Sequence, residues 1–176
     1  MADNSLIYKS ISALKQRLIN NGGFIEIQLE NGQLDKYGCS FKLPAVDEEW
    51  NELIEKIGPL PVDYLALFKL CNGCSLFDHP LYGGENHIFS LSEILEYNRK
   101  DEVHNWLKIA YIYDDYIVIN MDRVRNNQSH YLFVTESTDP FEYSRDLYCN
   151  FETWLERFII TNGNKFWNWG AEPYKY

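Results

Sequence analysis

Residues 60–73, LPVDYLALFKLCNG, constrain this chain more tightly than any other stretch, because they encode both ends of a short helix and its buried face. Pro61 suits a first helical position, Asp63 sits in the positively polarised first turn, and Gly73 can take the left-handed conformation that closes a helix. Tyr64, Leu65, Phe68 and Cys71 fall on one side at helical spacing. Burying Leu65 and Phe68 contributes about 1.5–3 kcal/mol each, so packing rather than propensity holds the helix. The stretch predicts a helix laid on a core that the rest of the chain supplies.

The flanking segments supply it. Ser5 caps an expected first helix with Ile7, Ile11, Leu14 and Leu18 on its apolar stripe, ending at Asn21-Gly22-Gly23. A hairpin follows, with strands around Ile25 and Tyr37 and a turn at Asn31-Gly32. Asp47 caps a helix carrying Trp50, Leu53, Ile54 and Ile57, stopped by Gly58-Pro59. Residues 74–86, with Pro80, Gly83 and Gly84, read as a loop. Ser90-Leu91-Ser92-Glu93 is a capping box. From Trp106 the apolar period changes to two. Strands are expected at 109–113, 116–121 and 131–134, joined by an Asp114-Asp115 turn and a longer polar turn over 123–129. Asn150 caps a last helix with Phe151, Trp154, Leu155, Phe158 and Ile159 on one stripe, closed at Asn162-Gly163.

The order Leu-Pro, acidic residue, Tyr, apolar helix, Asn-Gly over residues 60–73 resembles the signature of the SUKH superfamily, the Smi/Knr-type domains. The capping box at Ser90 and the Phe-Glu-x-aromatic-Leu start of the last helix fall in the same order, so the resemblance covers roughly residues 46–161. One departure is the turn Tyr113-Asp114-Asp115-Tyr116, where the family pattern has a Gly-Asp-rich bend. Together the two readings predict an α+β fold: a single domain with a mainly antiparallel meander sheet packed against helices. Residues 1–45 form an amino-terminal helix and hairpin extension, 46–161 the family-like domain, and 162–176 an aromatic tail docked on it. Members of the superfamily are bacterial immunity proteins that neutralise secreted toxins and fungal regulators of cell-wall glucan synthesis.

Composition narrows the functions. A hydrophobic content of 45% and an aromatic content of 16% belong to a folding chain. The longest apolar runs are a few residues, far below the roughly 20 that span a bilayer, and the start, MADNSLIYKS, lacks a secretory pattern. A cytoplasmic location with reduced Cys39, Cys71, Cys74 and Cys149 is the expectation. Net charge is −10, with five basic and four acidic residues in 1–44 against eleven and twenty-two in the remainder. So acidic a domain repels phosphate backbones, which argues against direct nucleic-acid binding and for a basic protein partner.

No stretch reads as an active site. Cys71 and Cys74 form a CxxC, but Cys71 falls in the last turn of its helix, where the dipole disfavours a thiolate. Zinc would need His79 and His87 at irregular spacing beside that pair, against Cys71 packing as a small hydrophobe. Adjacent Asp114 and Asp115 suit a polar turn better than acid–base work. His79, His87, His104 and His130 are scattered, without a metalloprotease pair or a nucleophile motif. Neither a cofactor nor a metal is expected.

The leading expectation is a non-enzymatic protein-binding module, specifically a cytoplasmic immunity protein that neutralises a cognate basic, nuclease-like toxin. A regulatory scaffold of the cell-wall-control type is a second reading that the resemblance implies, and a small-molecule binder or enzyme is a third. The expected contact residues lie in turns around the sheet: Asp78, Glu85, Asp114, Asp115, Glu136, Asp139 and Glu142.

Overall fold

The computed structural model describes residues 5–29, 31–98 and 105–170. His104 and the tail tyrosines Tyr174 and Tyr176 lie outside the described residues. Eight antiparallel strands form one sheet in their sequence order: β1 (Ile25–Gln28), β2 (Leu34–Phe41), β3 (Cys74–Asp78), β4 (Asn86–Ile88), β5 (Trp106–Ile112), β6 (Asp115–Asn120), β7 (Leu132–Glu136) and β8 (Arg145–Asp146). Helix α1 (Leu6–Asn20) precedes β1, helices α2 (Asp47–Ile57), α3 (Val62–Phe68), α4 (Leu91–Tyr97) and α5 (Met121–Arg125) lie between strands, and α6 (Phe151–Ile160) follows β8. Helices α1, α3 and α6 pack on one another. Their buried stripes share a single core with the inward side chains of the sheet.

The amino-terminal segment belongs to that same core. Ile7, Ile11, Leu14 and Leu18 of α1 are buried in it, and β2 joins the main sheet by pairing with β3, Phe41 opposite Cys74. The expected caps are present: Ser5 accepts from the Tyr8 amide, Ser90 from Glu93, and Asn150 from Thr153. The Glu93 carboxylate returns the bond to the Ser90 amide at 2.7 Å, which completes the capping box.

Residues 60–73 tie the elements together more fully than a core helix would. Asp63 reaches across to α6 and accepts from the Glu152 amide at 3.1 Å and the Tyr131 hydroxyl at 2.5 and 2.6 Å. That hydroxyl in turn accepts from the Phe151 amide at 3.1 Å. With Asn150 on Thr153, three successive amides at the start of α6 are satisfied by three different parts of the chain. Asn72, also buried, accepts from the Leu91 amide that opens α4 and donates to Glu49 near the start of α2. Gly73 has a φ of +86°, and a Cβ there would lie 2.7 Å from the Ser90 amide nitrogen. The signature is thus a junction of four helices.

Several expectations need correction. Helix α3 starts at Val62 and ends at Phe68, so Gly73 does not close it and instead permits the close approach to Ser90. Its buried face is Tyr64, Leu67 and Phe68, continued by Cys71, with Leu65 only partly covered. On α2, Leu53 is buried and Ile54 exposed. Asp47 is the first helical residue there, and the Glu49 carboxylate takes the Val46 amide that precedes it. Residues 74–86 are not one loop. Cys74 and Leu76 point inward between two neighbouring strands, and such pairing outweighs the breakers, which are confined to 79–85. A φ of +59° at Phe77 then places Leu76 and Phe77, adjacent in sequence, both in the core. The polar stretch after β6 contains α5, nucleated by the Asn120 cap on Arg123. Strand β8, too short to read from periodicity, closes the sheet.

Candidate protein-binding surface

A meander with this order sends alternate connections to the same end of the sheet. Strand β3 ends at Asp78, β4 begins after Glu85, β5 turns into β6 through Tyr113-Asp114, and β7 ends at Glu136. Backbone bonds hold these connections side by side: the Tyr113 amide donates to the Glu85 carbonyl at 3.3 Å, and the Ser137 amide to the Asp114 carbonyl at 2.7 Å. The Asp139 amide donates to the Glu136 carbonyl, and Glu142 lies in the short 3-10 turn Phe141–Tyr143 before β8. Six of the seven expected carboxylates, Asp78, Glu85, Asp114, Asp115, Glu136 and Asp139, therefore occupy connections and strand ends on one end of the sheet, whereas Glu142 is carried toward the other end by Phe141, which stacks on Trp106 at the start of β5.

They are not equivalent. Glu85, Asp114, Glu136, Asp139 and Glu142 are exposed, and no ion pair engages them among the described residues. Asp78 is half-buried; burial raises its pKa, and nearby His87 partly offsets that. Asp115 is different. It is buried, and its carboxylate accepts from Trp167 Nε1 at 3.0 Å and pairs with Lys165 at 3.1 Å. The two-residue turn is Tyr113-Asp114, with φ of +39° and +69°, and Asp115 opens β6 on the same side as Ile117 and Ile119. Extending the period-two pattern of β6 back by one step would have identified Asp115 as inward-facing. Two successive left-handed residues are what a tight hairpin requires, and tyrosine there stores strain of about 1–2 kcal/mol.

The tail completes this end. Phe166 and Trp167 pack on the core, Trp167 beside Phe158 and Trp154, while Trp169 is exposed. The Lys165 ammonium also caps the Tyr113 carbonyl, so the tail braces the strained turn. On the solvent side of the sheet, Trp106 stacks on Phe141 and packs edge-on against Phe133. Lys108 lies over Tyr116 and Arg123 over Phe133. This aromatic patch lies along the sheet face toward the end opposite the Tyr113-Asp114 turn, since Trp106 pairs with Asn120.

A second polar group escaped sequence reasoning because its members come from three elements. Ser75 Oγ lies 3.1 Å from His87 Nδ1, and His87 Nε2 lies 3.1 Å from Glu93 Oε1. The order Ser, His, carboxylate is that of a nucleophile relay, but Ser75 sits within β3 between two paired strands, where backbone amides are spent on the ladder. Glu93 is further held by Ser90 and Lys42. Burial works against its charge, yet the bonds from Ser90, Lys42 and His87 prevail and lower its pKa to about 2. The group fastens α4 to β2, β3 and β4.

Neither histidine considered for zinc faces the cysteine pair. His79 pairs with Asp35 at 3.3 Å and stacks on Tyr82, and His87 is engaged as above. Cys71 and Cys74 are buried in the core, where the bond to Cys71 and burial both push the Cys74 thiol up. Among the described residues, no group of three or more His, Cys, Asp or Glu is arranged to hold a metal ion, and no helix is long and apolar enough to cross a membrane.

Comparison with known proteins adds to this geometry. The model of the SMI1 / KNR4 family (SUKH-1) matches residues 44–157. Two Bacillus subtilis (strain 168) proteins are similar along most of their lengths. The uncharacterized protein YobM is 31% identical over 176 residues, covering 94% of this chain and 92% of YobM. The uncharacterized protein YnaB is 33% identical over 129 residues, covering 72% of this chain and 85% of YnaB.

Proposed function

The chain belongs to the SMI1 / KNR4 family (SUKH-1), and from that premise we propose that it is a non-enzymatic protein-binding module, an immunity protein that neutralises a basic toxin. The observation that carries this reading is the gathering of Glu85, Asp114, Glu136 and Asp139, exposed and without ion pairs among the described residues, at one end of the sheet. A nuclease-type toxin must be cationic where it holds nucleic acid. An acidic end of this kind accelerates encounter with that surface and opposes it by charge once docked. Exposed Leu81, Tyr82 and Tyr113, in the same connections as the carboxylates, provide the apolar area that long-range charge alone does not.

The test is co-expression with a toxin encoded beside the gene. Growth is expected to be rescued by the parent protein and lost when Glu85→Lys and Glu136→Lys, both exposed and outside the strained turn, are combined, with the melting temperature unchanged. Rescue that survives the double reversal would refute the acidic end as the contact surface.

A further inference from the structure

Residues 79–83 close the β3–β4 connection into a short turn with an apolar tip. His79 and Gly83 exchange both backbone bonds, at 3.0 and 2.8 Å, and Pro80 restricts one φ between them. The tip residues Leu81 and Tyr82 are 81% and 86% exposed. Exposed as they are, they are held. His79 Nδ1 accepts from the Leu81 amide at 3.1 Å and from the Tyr82 amide at 3.2 Å, and the imidazole stacks on the Tyr82 ring at 4.6 Å.

His79 is itself fixed from a second direction. An imidazole nitrogen that accepts carries no proton, so the ring hydrogen sits on Nε2, which faces Asp35 Oδ2 at 3.3 Å. The Tyr37 ring meets the imidazole edge-on at 5.7 Å. Asp35 and Tyr37 share one side of β2 by alternation, while Lys36 between them stands opposite Glu26. Strand β2 precedes residue 44, so a strand outside the family match orients a connection within it.

Apolar groups already ordered before contact lose little entropy on docking, and tyrosine is among the residues that carry most of an interface's energy. The surroundings of the tip indicate what it meets. The three connections at this end, 79–85, 113–114 and 137–139, contain no lysine or arginine and three exposed carboxylates, Glu85, Asp114 and Asp139. Lys165, which reaches the same end, is taken up by Asp115 and the Tyr113 carbonyl. An apolar tip beside carboxylates matches an apolar hollow rimmed by lysine or arginine. We propose that Leu81 and Tyr82 are the anchor that enters such a hollow on the cationic partner, and that His79 is the positioning residue that holds the anchor ready. This rests on the acidic end docking a cationic protein and names the contact that fixes it there.

Leu81→Ser combined with Tyr82→Ser, both exposed, is expected to keep the parent melting temperature and to weaken binding to the basic protein identified by co-expression rescue about thirtyfold or more. Two replacements test His79. His79→Phe keeps a ring for Tyr37 and Tyr82 but no acceptor, whereas His79→Asn keeps a side-chain acceptor for amides two and three positions on. In the free full-length protein, exchange of the Leu81 and Tyr82 amides should quicken about fivefold in His79→Phe and stay near the parent rate in His79→Asn, with binding following the same order. Equal effects of the two His79 replacements, or a tip variant that binds like the parent, would overturn the proposal. So would a parent dimer in sedimentation that the tip variant abolishes, since the tip would then join two copies of this chain. Failure here is separable from failure of the broader reading. Growth rescue kept by the tip variant but lost by the Glu85 and Glu136 reversals would refute the anchor alone.

Discussion

Replacing Tyr131 by phenylalanine removes one oxygen atom and disturbs three elements. The hydroxyl donates to both oxygens of Asp63 on α3 and accepts from the Phe151 amide that opens α6, while Tyr131 itself is 5% exposed. Losing a hydrogen bond to a charged acceptor costs about 1.5–3 kcal/mol, and orphaning a buried amide costs about 1–3 kcal/mol. Asp63 keeps the Glu152 amide, and its partly exposed carboxylate can be rehydrated, which brings the expected loss to about 3 kcal/mol. For a domain of this size that lowers the melting temperature by roughly 6–12 °C. Urea unfolding followed by tryptophan fluorescence reads the loss directly, since Trp154 lies against Phe151 in the core. Tyr143→Phe is the control: Tyr143 is exposed, and its variant should stay within about 0.5 kcal/mol of the parent. A Tyr131→Phe protein as stable as that control would refute the claim that Asp63 and Tyr131 cap α6.

Gly73→Ala combines a left-handed φ with a Cβ 2.7 Å from backbone that cannot yield, and should cost at least about 3 kcal/mol in the same assay, whereas Gly22→Ala, with open space around it, should cost about 1 kcal/mol. Glu93 has a folded pKa near 2 against an ordinary 4.5, so its contribution is complete above about pH 4.5 and is lost as pH falls toward 2. Glu93→Gln should accordingly be less stable than the parent at neutral pH and converge with it in acid melts near pH 2. Glu85→Lys and Glu136→Lys should leave thermal melts unchanged but slow association with a basic partner, and the difference in on-rate should shrink as salt is raised.

Much of the fold was legible because it is written in local periods. The stripes of α1 and α6, the capping box at Ser90, the Asn150 cap and the alternation from β5 to β7 all lie within windows of a few residues. What escaped depends on partners distant in sequence. Asp63 could be assigned to its own helix dipole from sequence, but its bond to Tyr131 spans 68 positions and no local pattern encodes it. Strands β3 and β4 are five and three residues long, and the breakers between them dominate any window that contains both. The acidic residues were visible individually. Their convergence follows from an uninterrupted meander order, which pairing rather than propensity decides.

The central claim is that this protein acts by covering another polypeptide with the acidic end of its sheet. Hydrogen exchange of the full chain, alone and mixed with the basic protein that its co-expression rescue identifies, tests that most directly. Protection is expected in 79–85, 113–114 and 137–139. Protection confined to the opposite end, around 121–130, or exchange identical with and without the toxin, would contradict it.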